Sequence, residues 1–269
     1  DPSKPDFKVP DLLPPENLGE VRIARRRKLR DLVDATVKDF ESTENAAMMG
    51  RNFEAAYRLM TSTQAREAFD LTKEDDKTRD RYGRNSWGQQ LLMARRLVEA
   101  GVEVLTSSLS GPLCGRVSNW DDHAVNHHVF DAMRFRAHAY DQAVSALIED
   151  IYERGLDKRV LVVVTGEFGR TPKIEYSAST GAGNASAAAG TIQPGRDHWP
   201  RLSMAFMAGG GIKGGQAVGQ SSRKGEVAEN RPIDYQEVHG TLYHNMGIDL
   251  HTTQFIDPAG RPQYILDHL

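Results

Sequence analysis

The sequence predicts an α/β protein in which helices pack on a mostly parallel β-sheet. The chain of 269 residues is 39% hydrophobic and 26% charged, values that are typical of a folded globular protein. Between residues 20 and 100, apolar side chains recur at three- and four-residue steps, which predicts amphipathic helices. From residue 101 onward, strand-like and helix-like segments alternate. That alternation is typical of parallel strands joined by right-handed crossovers.

The chain is predicted to have three parts. Residues 1–19 contain five prolines and no apolar periodicity, which predicts an extended arm. Residues 20–100 are predicted to form a helical region that packs on the sheet. Residues 101–269 are predicted to form the α/β region that carries the candidate site, as one domain with residues 20–100.

Two apolar runs in the α/β region are the best strand candidates. Val160–Thr165 is rich in β-branched residues, as in a strand covered on both faces, and Arg201–Ala208 is the second candidate. Phe130–Arg154 is predicted to be a long amphipathic helix closed by Gly155, and Tyr235–Met246 a further helix. Three or four convincing strands are few for such a sheet. Either the sheet is small or part of it lies outside this chain.

Charge and hydropathy exclude several functional classes. The formal net charge of -3 gives no overall electrostatic reason to expect a nucleic-acid partner. No apolar run approaches the roughly 20 residues that span a bilayer, so no transmembrane segment is predicted.

Residues 208–215 formally contain a G-x-G-x-x-G pattern, but no helical pattern follows it. We therefore predict a tight glycine turn there and not a nucleotide site.

The densest group of potential metal ligands lies in Asn119–His128, where two Asp and three His fall within eight residues. Imidazole and carboxylate groups are the usual ligands of Zn²⁺, Mn²⁺ and iron. Asp121 and His123 are two residues apart, so an extended loop would point both to one side. The alternative is a helix N-terminus with Asp caps and solvated histidines.

A second candidate segment, Thr165–Pro172, follows the first predicted strand directly. Glu167 stands where a parallel strand would deliver a carboxylate into a cleft, and Arg170 offers a planar guanidinium suited to carboxylate, phosphate or sulfate. The alternative is a Glu167–Arg170 ion pair that holds a turn.

A third candidate segment, Gly195–Pro200, contains Asp197 and His198, which could supply a further ligand. It follows Ser177–Gly190, a stretch of small residues that is predicted to form a mobile surface loop.

Five segments occur in a fixed order along the chain: WDDH, LVVVTGEFGRTPKI, GRDHWP, MAGGGIKGGQAVG and MGIDLHTTQFIDPAGRPQYIL. Together they resemble the DUF1501 family, and the likeness runs from the proline-rich arm to the C-terminus. The resemblance implies an alkaline phosphatase/sulfatase-like protein, with a three-layer α/β/α sandwich around a mostly parallel sheet. It also implies a bacterial protein exported to the periplasm.

The resemblance further implies a site and an activity. Asp121, His123 and His198 would bind a divalent metal ion, which could be Zn, Mn, Ca or Fe. Glu167 would be a further ligand or a base, and Arg170 would hold the anion. The implied function is metal-dependent hydrolysis of a phosphate or sulfate ester, with a small anionic ester as the substrate.

Two departures from the superfamily pattern limit this implication. Phe168 stands where a histidine ligand of a second metal is expected. Nothing in the chain matches the first strand with its nucleophile, so we expect the N-terminal strands to be missing from this chain. The missing segment, or another protein, would then be a partner. Both departures favour the alternative function, a non-catalytic binding or assembly protein that keeps the fold as a scaffold.

Overall fold

The computed structural model divides the chain into two compact units. The described residues are 1–9, 19–34, 44–113, 116–183 and 185–267. Unit 1 comprises Asp1–Asp80 and Arg84–Ser107, and unit 2 comprises Arg81–Gly83 and Ser108–Leu269. All residues of the three candidate segments therefore belong to unit 2.

Unit 1 is helical over most of its described length, as the apolar periodicity predicts. Its helices are α1 (Glu20–Asp34), α2 (Glu44–Thr61), α3 (Thr63–Phe69), α4 (Asp76–Tyr82, which ends in unit 2) and α5 (Ser86–Glu99). Helix α5 begins after Asn85, whose side chain accepts hydrogen bonds from the first backbone N–H groups of the helix. It supplies much of the core of unit 1, because Trp87 and Leu92 are fully buried.

The predicted arm is described only in its first half. Residues 1–9 form two successive hydrogen-bonded turns, in which Lys4 N donates to Asp1 O and Phe7 N donates to Lys4 O. Residues 10–18 of the arm lie outside the described residues.

Unit 2 combines two long helices with short strands. The helices are α6 (Val129–Glu153) and α7 (Tyr235–Asn245). The strands are β1 (Gly111–Leu113), β2 (Arg116–Ser118), β3 (Leu161–Thr165), β4 (Gly169–Arg170), β5 (Glu175–Ala178), β6 (Ile192–Gly195), β7 (His198–Trp199), β8 (Ala205–Gly209), β9 (Gln220–Ser221), β10 (Ala228–Asn230), β11 (Gln254–Ile256) and β12 (Pro262–Tyr264). Both helices match their predicted positions. Gly155 follows α6 with φ 66°, as a glycine after a helix C-cap does.

The predicted parallel sheet, and with it the three-layer sandwich, is wrong for this chain. In the described residues every strand pairs antiparallel in a two-stranded sheet. Three of these sheets are nested, with β3 paired to β8, β4 to β7 and β5 to β6. Leu161–Gly209 is therefore one long, interrupted hairpin that turns back between β5 and β6.

The hairpin explains why the prediction fails. Parallel pairing of β3 with β8 would need a crossover connection, usually a helix, between the two strands. Residues 166–204 contain no helix among those described, and instead pair with themselves. Strand β3 is consequently half-buried and not covered on both faces, and Thr165 at its end is exposed.

The glycine-rich segment that follows β8 forms the predicted tight turn. Gly209, Gly210 and Gly211 all have positive φ values, between 62° and 78°. No helix begins directly after this turn, as a dinucleotide site would require, since the next helix is α7 at Tyr235. Among the described residues, no helix is both long enough and apolar enough to cross a membrane.

Candidate metal centre

The structure brings together three of the residues predicted as metal ligands. Asp121, His123 and His198 each offer one ligand atom, and these atoms lie within 4.8 Å of one another. Asp121 and His123 lie in the loop that precedes α6, and His198 is the first residue of β7. We call this group the Asp121–His123–His198 cluster.

The cluster is centred on one carboxylate oxygen. Asp121 Oδ1 lies 2.5 Å from His123 Nδ1, 3.1 Å from Arg170 Nη1 and 3.4 Å from His198 Nε2. Burial would raise the pKa of Asp121, but the charges of His123 and Arg170 and the hydrogen bonds from Arg170 and His198 lower it below 3.8. Asp121 is therefore a carboxylate at neutral pH. Its side chain is 41% exposed, which leaves the cluster open to solvent.

The two imidazole rings are held by further contacts. His123 also faces a second carboxylate, because its Nε2 lies 3.2 Å from Asp197 Oδ1. The ring of His198 lies between two others, with ring centroids 4.6 Å from His123 and 4.4 Å from Phe168. Phe168, at the position of the expected second-metal histidine, thus packs on a ligand of this cluster.

The interrupted hairpin positions His198 beside Arg170. In the pairing of β4 with β7, Arg170 is the register partner of His198. The two residues are 28 positions apart in sequence, but the hairpin places them on adjacent strands. The antiparallel pairing that replaces the predicted sheet is therefore what unites the second and third candidate segments.

Helix α6 anchors the loop that carries Asp121 and His123. Arg136 is buried, with 2% of its side chain exposed, and forms an ion pair with Asp122. Its Nη1 also donates to Asn119 O over 2.5 Å, and its guanidinium lies 4.4 Å from the ring centroid of Trp120. Arg136 thereby fixes the backbone on the N-terminal side of Asp121 and His123.

The hairpin holds the same loop through its backbone carbonyls. The backbone N–H of Arg196 donates to Asp122 O over 2.8 Å, and Gln193 Nε2 donates to Ala124 O over 2.6 Å. Thr180 donates to Val125 O through both its N–H and its hydroxyl. Because Gln193 is almost fully buried, its hydrogen bond is shielded from water.

The small-residue stretch Ser177–Gly190 has a structural role in this contact. Its first two residues end β5, and the described residues after them form a loop that packs against the cluster loop, where Ser186 Oγ donates to Asn126 O. A Cβ atom on Gly183 would collide with Asn126 O, and one on Gly195, in β6, would collide with the backbone of Ala124. Small residues therefore permit the close approach of two backbones.

Glu167 is the predicted site residue that the structure leaves outside the cluster. Its side chain is exposed, and it does not belong to the group of ligand atoms within 4.8 Å. The alternative, a Glu167–Arg170 ion pair, does not form in the structure, and Arg170 pairs with Asp121. Glu167 does contact α7, since its backbone carbonyl accepts a hydrogen bond from the Tyr235 hydroxyl over 2.5 Å.

The other two histidines of the loop have structural positions. His127 is buried, with Nδ1 3.1 Å from Asp121 O. His128 is the N-cap of α6 and its side chain accepts from Asp131 N, so a helix does begin at the end of this segment, but its cap is a histidine and not an Asp. The buried pair of Asp122 with Arg136 is not predicted from the sequence. No local signal marks it, because the two residues lie 14 positions apart and on different elements.

The donor set fits a divalent transition metal. One carboxylate oxygen and two imidazole nitrogens are a set that Zn²⁺, Mn²⁺ and Fe²⁺ accept, with coordination positions left over for water or substrate. Ca²⁺ prefers six to eight oxygen ligands, so the two histidines make it the least suited of the four metals considered.

These features define the chain as a mixed α/β protein with a carboxylate–imidazole cluster beside an arginine. The chain belongs to the DUF1501 family, whose profile, described as "Protein of unknown function (DUF1501)", matches residues 1–268. Comparison with curated proteins and with solved structures finds no match. The family resemblance is thus confirmed, while the superfamily assignment stays a prediction.

Proposed function

We propose that this protein is a metal-dependent hydrolase that acts on a phosphate or sulfate ester. The observation that carries the proposal is the convergence of Asp121, His123 and His198 directly beside the guanidinium of Arg170. A cation site next to an arginine provides two positive groups that can share one anionic ester.

Asp121, His123 and His198 would hold the metal ion. A divalent cation bound there would supply a Lewis acid for an ester oxygen and lower the pKa of a bound water. The chain contributes a fixed donor set, because Arg136 restrains the loop before His123 and Gln193 restrains it after His123. Support of this kind keeps ligands at productive distances.

Arg170 would hold the anion. Its Nη1 donates to Asp121 Oδ1 over 3.1 Å and to Arg196 O over 3.4 Å. Its remaining N–H groups donate to none of the residues that the structure describes. A guanidinium has five N–H donors, so the remaining ones can bind the non-bridging oxygens of a phosphate or sulfate group.

Glu167 is proposed as the base. It lies in the turn between β3 and β4, three residues before Arg170 and next to Phe168, which packs on His198. Its exposed carboxylate is free of ion pairs among the described residues, so a substrate or a bound water can reach it.

A non-catalytic binding or assembly protein is the second candidate function. Two observations favour it. The Glu167 carboxylate lies outside the cluster. Phe168, at the position where a histidine ligand of a second metal is expected, packs its ring on His198. In this alternative the cluster would bind a metal for stability or partner recognition without turnover.

The discriminating experiment is an ester panel, tested on the full-length gene product with Zn²⁺, Mn²⁺ or Fe²⁺ added. The hydrolase proposal expects turnover of at least one aryl phosphate or sulfate. It expects kcat to fall by about 100-fold or more in Glu167→Gln, which removes a base, and in Arg170→Ala, which removes an anion-binding group. Glu175→Gln, which changes an exposed carboxylate of the same hairpin, is the matched control and keeps the activity.

Inactivity on the whole panel, combined with a stoichiometric bound metal, would contradict the hydrolase proposal and support the binding protein. Activity that Glu167→Gln leaves unchanged would remove Glu167 from the mechanism.

A further inference from the structure

His123 lies between two carboxylates that come from different elements. Its Nδ1 faces Asp121 Oδ1 at 2.5 Å, and its Nε2 faces Asp197 Oδ1 at 3.2 Å. Each ring nitrogen therefore has a carboxylate partner. Nδ1 faces Asp121 of the cluster, and Nε2, on the opposite side of the ring, faces Asp197. The ring itself is largely shielded, with 22% of the side chain exposed.

We propose that Asp197 is a positioning residue that orients the imidazole of His123 toward the cluster. This inference rests on the proposed metal site and adds a residue to it. With a metal ion bound, the Asp197 carboxylate would accept a hydrogen bond from Nε2–H, which leaves Nδ1 as the ring nitrogen that binds the ion. Nδ1 faces Asp121 Oδ1 at 2.5 Å, so a metal ion bound there would be shared by the imidazole and the carboxylate.

The placement of Asp197 suits an outer partner and not a ligand. The described group of ligand atoms within 4.8 Å contains Asp121, His123 and His198, and Asp197 does not belong to it. An acceptor on the remote nitrogen of a metal-binding histidine is a common arrangement, and it raises the basicity of the ligand. The contact at 3.2 Å has the length that such an acceptor requires.

The hairpin delivers this carboxylate from a fixed backbone. Asp197 immediately precedes β7, and two hydrogen bonds tie it to Thr171, which immediately follows β4. Thr171 N donates to Asp197 O over 2.9 Å, and Asp197 N donates to Thr171 Oγ1 over 3.1 Å. The hairpin thus presents two neighbouring residues to the cluster. Asp197 is the outer partner of His123, and His198 is the second histidine of the cluster.

A second His–Asp pair in the same unit provides a matched control. His128 Nδ1 lies 3.4 Å from Asp131 Oδ2, and the Asp131 side chain is 57% exposed, close to the 52% of Asp197. This pair is local to the first turn of α6, and neither residue belongs to the cluster. Removal of its carboxylate tests the loss of an exposed charge near a histidine without touching His123.

The experiment measures zinc binding by calorimetry in the wild type and in Asp197→Ala, Asp197→Asn and Asp131→Ala. We expect Asp197→Ala to weaken zinc binding by about 10–100-fold, because His123 loses the acceptor that orients it. Asp197→Asn keeps an amide oxygen that can accept from Nε2–H and should recover part of this loss. Asp131→Ala should bind zinc as the wild type does.

Nitrogen NMR of the zinc-loaded protein supplies the readout that a merely structural role would not give. We expect zinc on Nδ1 of His123 and a slowly exchanging proton on Nε2 in the wild type, with faster exchange in Asp197→Ala. Zinc on Nε2, or equal zinc affinity in Asp197→Ala and the wild type, would overturn the role of Asp197 alone. A wild type that binds no zinc would overturn the metal site and this role with it.

Discussion

Asp121 and Asp122 are neighbours in sequence, but they lie in opposite environments. The Asp122 side chain is 7% exposed and faces one partner, the buried guanidinium of Arg136. The Asp121 side chain is 41% exposed, and one of its oxygens faces His123, His198 and Arg170 together. The first carboxylate fixes the loop to α6, and the second presents a charged oxygen to solvent.

The difference shows how a short loop can be rigid and reactive at once. A buried ion pair contributes little net stability compared with apolar residues, but removal of one partner leaves an isolated buried charge. That penalty forces Asp122 to stay with Arg136. Successive side chains of an extended segment point in opposite directions, so Asp121 is turned outward toward His198.

The same substitution at the two positions should therefore have different effects. Asp122→Asn should lower the free energy of unfolding by about 3–5 kcal/mol, because Arg136 would keep an uncompensated buried charge. Asp121→Asn should lower it by about 1 kcal/mol or less, because the group is part-exposed. Urea denaturation followed by tryptophan fluorescence measures both.

The comparison also predicts the reverse order for metal binding. Asp121→Asn removes the central carboxylate of the cluster. It should therefore weaken zinc binding more than Asp122→Asn weakens it in the fraction of that variant that remains folded. Equal destabilisation by the two variants, or a loss below about 1 kcal/mol in Asp122→Asn, would break the distinction between anchor and ligand.

A smaller effect is expected where the hairpin holds the cluster loop. In Gly195→Ala the added methyl group would meet the backbone of Ala124 and Asp122, so the loop must move. We expect a loss of about 1–3 kcal/mol in the free energy of unfolding, together with weaker zinc binding. Gly214→Ala is the matched control, because a Cβ there meets nothing within 4 Å and its φ is not positive. Urea denaturation and calorimetry of both variants check this prediction, and equal behaviour of the two would contradict it.

The sequence predicts the components of the site better than their arrangement. Density of Asp and His marks the segment that holds Asp121 and His123, the family resemblance adds His198, and the chemistry of guanidinium identifies Arg170. The density of Asp and His does not distinguish Asp121 from Asp122. Which of the two faces the cluster depends on Arg136, which lies 14 positions after Asp122 on α6. The sequence also does not separate the two roles open to Asp197, since a carboxylate beside a histidine is equally typical of a ligand and of an outer partner.

Strand pairing is the part of the fold that the sequence predicts wrongly. Periodicity identifies β3 and β8 as strands, because apolar and β-branched residues fit a pleated surface. It does not state the partner or the direction of a strand, and the family resemblance favours parallel pairing. The absence of a helical pattern between residues 166 and 204 was the available signal for a hairpin.

Metal analysis of the purified protein tests the central claim most directly. Elemental analysis should find about one Zn, Mn or Fe ion per chain in the wild type and in His244→Ala, which changes an exposed histidine of α7. The double variant His123→Ala, His198→Ala should contain none. A wild type without bound metal after incubation with these ions, or a double variant that binds metal equally well, would contradict the account.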